Sequence, residues 1–236
     1  MDAVATATLD GHGLTTRELN ERLRELLEGG AGAVDVSHPG SRHSLGVGFL
    51  DHAGACIRFL GDVGYFCGGL SDGLDIAVTG NAGWSLGADM MSGSIVVDGS
   101  SGSSTGASMR GGLVVVKGAA GARSGIAGKG GTLLIGGSTG YMTGFMNQRT
   151  RLVVCGDAGP GFGDSMYEGE LYCGGEIASL GSDTLVEQPD GEELAWLEEL
   201  CAPHGLAPAK AWQKVRSAGK LWRYDKREFA IWREAL

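Results

Sequence analysis

The stretch GNAGWSLGADMMSG, residues 80–93, carries glycine at 80, 83, 87 and 93; nineteen residues later GSSGSSTGASMRGG, residues 99–112, repeats those slots. Followed outward in both directions, the 19-residue step defines a first column: Gly61, Gly80, Gly99, Gly118, Gly137, Gly156 and Gly175. A second column is Gly64, Gly83, Gly102, Gly121, Gly140 and Gly159, ending in Ala178. A third is Gly68, Gly87, Gly106, Gly125, Gly144 and Gly163, ending in Ser182. A fixed period with no insertion is the mark of a repeat architecture, not of a flexible linker.

Before each first-column glycine stands an alternating apolar pair: Ile57/Phe59, Ile76/Val78, Ile95/Val97, Val114/Val116, Leu133/Ile135, Leu152/Val154 and Leu171/Cys173. Period-two alternation puts both members of a pair on one face of a strand, and the constant step sets each pair above its equivalent one coil earlier. Strands stacked in parallel and in register form a β-solenoid. The expected fold is therefore all-β, a single-stranded right-handed β-helix of about seven 19-residue coils. Its corners need sharp turns with little room for side chains, a demand that glycine meets at least cost.

Such a rod has open sheet edges that need covers. Residues 1–53 are expected to supply one, an N-terminal cap of strand, helix 16–28 and loop. There the Thr15-x-x-Glu18 capping box precedes Leu19, Leu23, Leu26 and Leu27 on one helical face. The β-helix is assigned to 54–184. Residues 185–236 form a tail of short helices or an extended arm, with Trp212, Trp222, Tyr224 and Trp232 as candidate anchors for the rod or for a partner chain.

Composition narrows the function. The chain has 236 residues, 44 of them glycine but only 5 proline, which excludes a proline-rich linker. A formal net charge of −9 gives no general attraction to nucleic acid or to an acidic membrane. No apolar run approaches a membrane span and no signal peptide is evident, so the expected location is the cytoplasm. Five cysteines without C-x-x-C spacing read as free thiols.

Motifs for chemistry are weak. Gly159-Pro-Gly-Phe-Gly163 lacks the βαβ unit of a dinucleotide site, and GIAGKGG has Gly130 where a phosphate loop needs Ser or Thr. No histidine occurs between His52 and His204 to serve as a base for a hexapeptide-type acyltransferase. Asp72, Asp75 and Asp89 are the nearest approach to a clustered acid site; Met90, Met109 and Met166 share a column that reads as core filler. Cys67 has no assignable His partner and reads as a quiet buried thiol. No catalytic, cofactor-binding or metal-binding residue is expected on this chain.

The coils GDVGYFCGG, GNAGWSLGADMMSG and GAAGARSGIAGKGG resemble the GXGXG β-helix domain of the glutamate synthase large subunit, over about 54–184. A formylmethanofuran dehydrogenase component shares the coil pattern. The ending KVRSAGKLWRYDKREFAIWREAL looks more like stand-alone glutamate-synthase-like subunits, especially the middle subunit of N-methylglutamate synthase. The resemblance implies one member of an enzyme complex that releases an amine from an amide, passes it along a shielded route and attaches it to 2-oxoglutarate with a flavin. An amidotransferase-like chain and an FMN-binding chain are the implied partners, with FMN and possible iron–sulfur centres on them. Here position 2 is Asp where the amidotransferase has its Cys nucleophile, and neither a cysteine cluster nor a (β/α) barrel pattern is present. The expectation is thus a structural subunit with no active site of its own. The alternatives are a member of a formylmethanofuran dehydrogenase or formyltransferase/hydrolase complex, or a free-standing β-helix enzyme.

Overall fold

A computed structural model describes residues 6–220. Their strands join one 11-stranded sheet, the first nine in chain order and the last lying between the ninth and the tenth. Seven strands follow the repeat: β3 (Cys56–Leu60), β4 (Asp75–Val78), β5 (Ser94–Val97), β6 (Leu113–Val116), β7 (Thr132–Ile135), β8 (Arg151–Val154) and β9 (Glu170–Cys173). Each pairs in parallel with the next at equivalent residues, as Ile76↔Ile95 and Ile95↔Val114 illustrate. The fold is a right-handed β-solenoid. A second ladder of single bridges links Val63, Ala82, Ser101, Ala120, Thr139, Ala158 and Ile177 on another side of the coil.

All fourteen inward residues of the apolar pairs are at most 2% exposed, so the rod is solid between its walls. The methionine column is core: Met90, Met109 and Met166 are fully buried. Asn147, in the same column, bonds the amide and carbonyl of Thr150 and so satisfies its buried amide.

The rod starts before the 19-residue period does. Strand β1 (Thr6–Asp10) pairs in parallel with β2 (Ala33–Ser37), and β2 with β3. Helix α1 (Thr16–Glu28) connects β1 to β2, opens on the Thr15–Glu18 capping box, and sends Leu19, Leu23 and Leu27 into the rod's own core. Asn20 and Arg24 hold the loop after β2 through the carbonyls of Ser44 and Val47.

At the far end parallel stacking stops. Strand β10 (Thr184–Glu187) is followed by α2 (Gly191–Cys201), a 3₁₀ turn (Ala202–His204) and β11 (Gln213–Ser217). Strand β11 lies antiparallel between β9 and β10, where sequence reading expects only helices or an arm. The edge of β9 decides the difference: its unpaired backbone groups take up the tail as a strand, and fully buried Val215 closes the core.

The corners correct the reading of the glycines. Only the third column is left-handed as a set, with φ of +62 to +75 from Gly68 to Gly163. In the second column crowding is the cause: a Cβ on Gly83 would lie 2.6 Å from the carbonyl carbon of Gly64. Nor is glycine the sole residue of the left-handed turns. Phe66, Ser85, Ser104, Arg123 and Met142 take φ between +55 and +61 in one column, and Leu70, Asp89, Ser108, Ala127, Met146 and Ser165 take φ between +51 and +56 in another. These side chains leave the corner outward and need no room inside it.

Candidate interaction surfaces

The strand side is covered over its second half. Outward residues Val115, Leu134, Val153 and Tyr172 are buried beneath Leu197 and Cys201 of α2, with Trp196, Leu200, Leu206 and Trp212 packed around them. A half-buried charge network fixes the helix. The Lys214 ammonium pairs with Glu170 at 2.9 Å and with Glu193, while the Tyr172 hydroxyl donates to Glu193 at 2.9 Å. The Arg151 guanidinium lies 4.8 Å from the Trp196 ring centroid and pairs with Glu170. Burial pushes the Glu193 carboxyl upward, but hydrogen bonds from Lys214, the Asp190 amide and Tyr172 outweigh it, leaving the group below its ordinary value. Lys214 is opposite in sign: burial lowers it, and the two glutamates raise it further than burial depresses it.

Cys155 and Cys201, 4.0 Å apart at their sulfurs, join the rod to the end of α2 as free thiols. Their shared hydrogen bond, together with burial, raises the Cys155 thiol. Cys67 is fully buried, and burial pushes its thiol up to about 12, which silences it as a nucleophile.

A corner edge carries a polar ladder. The side-chain oxygen of Asp62 accepts from the Asn81 amide, Asn81 from the Ser100 amide, and Ser100 from the Ala119 amide. After the gap at Ala119 it resumes, with Ser138 accepting from Asp157 and Asp157 from Glu176. These residues, one after each first-column glycine, tie each coil to the next. The signal was visible: six of the seven can accept a hydrogen bond.

The third side, formed by the turns between second-column glycines and the next strand, is left open by the described residues. His43 and Tyr65 stack at 4.4 Å between centroids, and Tyr65 and Trp84 at 5.5 Å and 18°. Tyr65 is 48% exposed and Trp84 56%.

Of the sequence candidates, Trp212 is half-buried against the outer cluster under α2. Trp222, Tyr224 and Trp232 lie outside the described residues. Asp72 and Asp75 each accept from a serine of the next coil, Ser92 and Ser94, and do not converge with Asp89 on a common centre. Among the described residues no three His, Cys, Asp or Glu side chains form a metal-holding group, and no helix is long and apolar enough to cross a membrane.

The molecule is a glycine-cornered parallel β-solenoid whose features are built for packing and contact. No family model matches the chain. It is 45% identical over 212 residues to protein GlxC of Rhizobium meliloti (strain 1021), covering 89% of this chain and 92% of that one. The chain belongs to the GlxC family.

Proposed function

We propose that this chain is the structural β-helix subunit of a cytoplasmic glutamate-synthase-like complex, N-methylglutamate synthase being the best fit. It ties an amidotransferase-like chain to an FMN-binding chain and helps shield the amine passing between them. The observation that carries this reading is the in-register parallel ladder from β1 to β9 around a core without a lumen. At about 4.8 Å per step it is a stiff spacer roughly 38 Å long. The amine route would then run along an outer side, walled by the neighbouring chains, since side chains fill the rod's interior. Excluding water from such a route protects a reactive amine in transit.

The test is reconstitution. This chain, expressed with the amidotransferase-like and FMN-binding chains, is expected to co-purify with both. Glutamine-dependent or methylamine-dependent attachment to 2-oxoglutarate is expected only in the full assembly. Turnover by the isolated chain would refute the reading.

A further inference from the structure

We infer that the open turn side of the rod, from Tyr65 to Met146, is the docking face for a partner protein whose contact surface is apolar and edged with carboxylates. The inference rests on the proposed role as a subunit and names the surface through which that role is exercised.

The face has two components. The first is a row of apolar side chains at equivalent turn positions: Tyr65, Trp84 and Tyr141 in one column, Leu70 and Met146 in another, and Met91 nearby, all between 38% and 56% exposed. Tyr65 and Trp84 are held as a stack continued by His43, whose ring also accepts the Tyr65 amide at 2.9 Å. Fixed aromatic rings lose little conformational freedom on association, the property that makes such residues interface anchors.

The second component is charge. Arg58, Lys117 and Arg151, in or beside the strands, each pair with a carboxylate, as does Arg149 at the far end of the turn side with Glu168. Arg110, Arg123 and Lys129 pair with none among the described residues, and all three stand on the turn side. Lys129 lies one 19-residue step above Arg110, and both amides bond the coil beneath, at Met109 and Met90. The chain holds 28 acidic residues against 19 Lys and Arg, so these cations are not unpaired for lack of acids. Cations left open beside apolar anchors suit carboxylates arriving from another chain. Asp72, in the Arg110 column, and Asp89, in the Met146 column, bound the cationic stretch on its N-terminal side, which disfavours a continuous phosphate backbone.

The experiment compares binding of the full chain to the amidotransferase-like and FMN-binding chains for three variants. Trp84→Ala and the double variant Arg110→Glu/Lys129→Glu alter the face; Arg17→Glu on α1 is a control for added negative charge. The first two side chains are exposed, and circular dichroism checks that each variant is folded. Both face variants are expected to weaken Kd at least tenfold, the charge reversal more strongly at low salt, with Arg17→Glu unchanged. Face variants within twofold of the parent, in a complex that still forms, would overturn this inference and leave the subunit role standing. A parent chain that binds neither partner removes both. A parent that self-associates, with Trp84→Ala restoring the monomer, would assign the face to a second copy and overturn the proposal.

Discussion

At the residue scale, glycines that look alike in the sequence answer to different physics. Gly83 has no left-handed φ, yet a Cβ there meets Gly64 and Tyr65 backbone atoms at 2.6 and 2.7 Å, which no side-chain rotation relieves. Gly87 has φ +62, and its added Cβ would meet only the ends of Ile95 and Val114 at 3.1 Å. Gly83→Ala should therefore cost about 3 kcal/mol or more by forcing coils apart, and Gly87→Ala about 1–2 kcal/mol of backbone strain. Urea unfolding of the two variants checks the order; a milder loss at Gly83 would mean that the coils are more compliant than their packing implies. The oxygen ladder gives a gain in the other direction. Ala119→Ser supplies the missing acceptor beneath the Ser138 amide and should add about 0.5–1 kcal/mol, while Ser100→Ala should remove a similar amount. Both changes are read from the same urea midpoints.

At the element scale the question is what holds α2 on the rod. Leu197 and Cys201 supply the apolar contact, and the Lys214, Glu170, Glu193 and Tyr172 network supplies its polar side. Glu193 has a depressed folded pKa, so its contribution is present above its ordinary value of 4.5 and is lost as pH falls through the folded value. Lys214 has a raised folded pKa, so its contribution is complete below 10.5 and is lost only as pH rises past the folded value. Docking of α2 should accordingly be level across neutral pH and loosen in acid. Protection of the α2 amides, taken relative to their intrinsic exchange rates, should fall in the parent as pH drops below 4.5. In Glu193→Gln exchange should already be faster at pH 7, with a flatter acid dependence; equal profiles would show that apolar contact alone holds the helix. This element also marks a limit of the sequence. The capping box, α1 and strands β3 to β9 were legible because each repeats a local pattern. Strand β11, with its polar sequence QKVRS, has no apolar period; it is a strand because β9 offers an open edge. The first rungs were hidden for another reason: β1 to β2 spans 27 residues and β2 to β3 spans 23, so neither keeps the 19-residue step.

At the scale of the whole molecule, the equivalence of the coils makes length a variable that can be changed without disturbing the fold. The open turn side escaped the sequence for a related reason: periodicity reports what stacks inward, whereas anchors such as Trp84 and cations such as Arg110, unpaired among the described residues, are defined by what does not surround them. Deleting residues 99–117 removes one whole coil and joins Asp98 to Gly118, which occupies the same corner position as Gly99. Ile95 and Val97 of β5 would then face Leu133 and Ile135 of β7, all inward residues, and Asn81 would find the Ala119 amide where it now holds that of Ser100. The shortened chain should fold with little loss of stability, because each repeat depends chiefly on its neighbours. Removing 18 residues, 99–116, should cost more stability, because the corner must then bulge out the extra Lys117 to keep the inward pairs in register. If the rod is a spacer, the 19-residue deletion brings the two partner sites about 4.8 Å closer along its axis and removes Arg110 from the open side. Circular dichroism and urea unfolding would report an intact solenoid, whereas amine transfer in the reconstituted complex should fall at least tenfold while each partner retains its own half-reaction. Full transfer activity in a complex one coil shorter would show that the separation fixed by the rod is not what the complex uses it for.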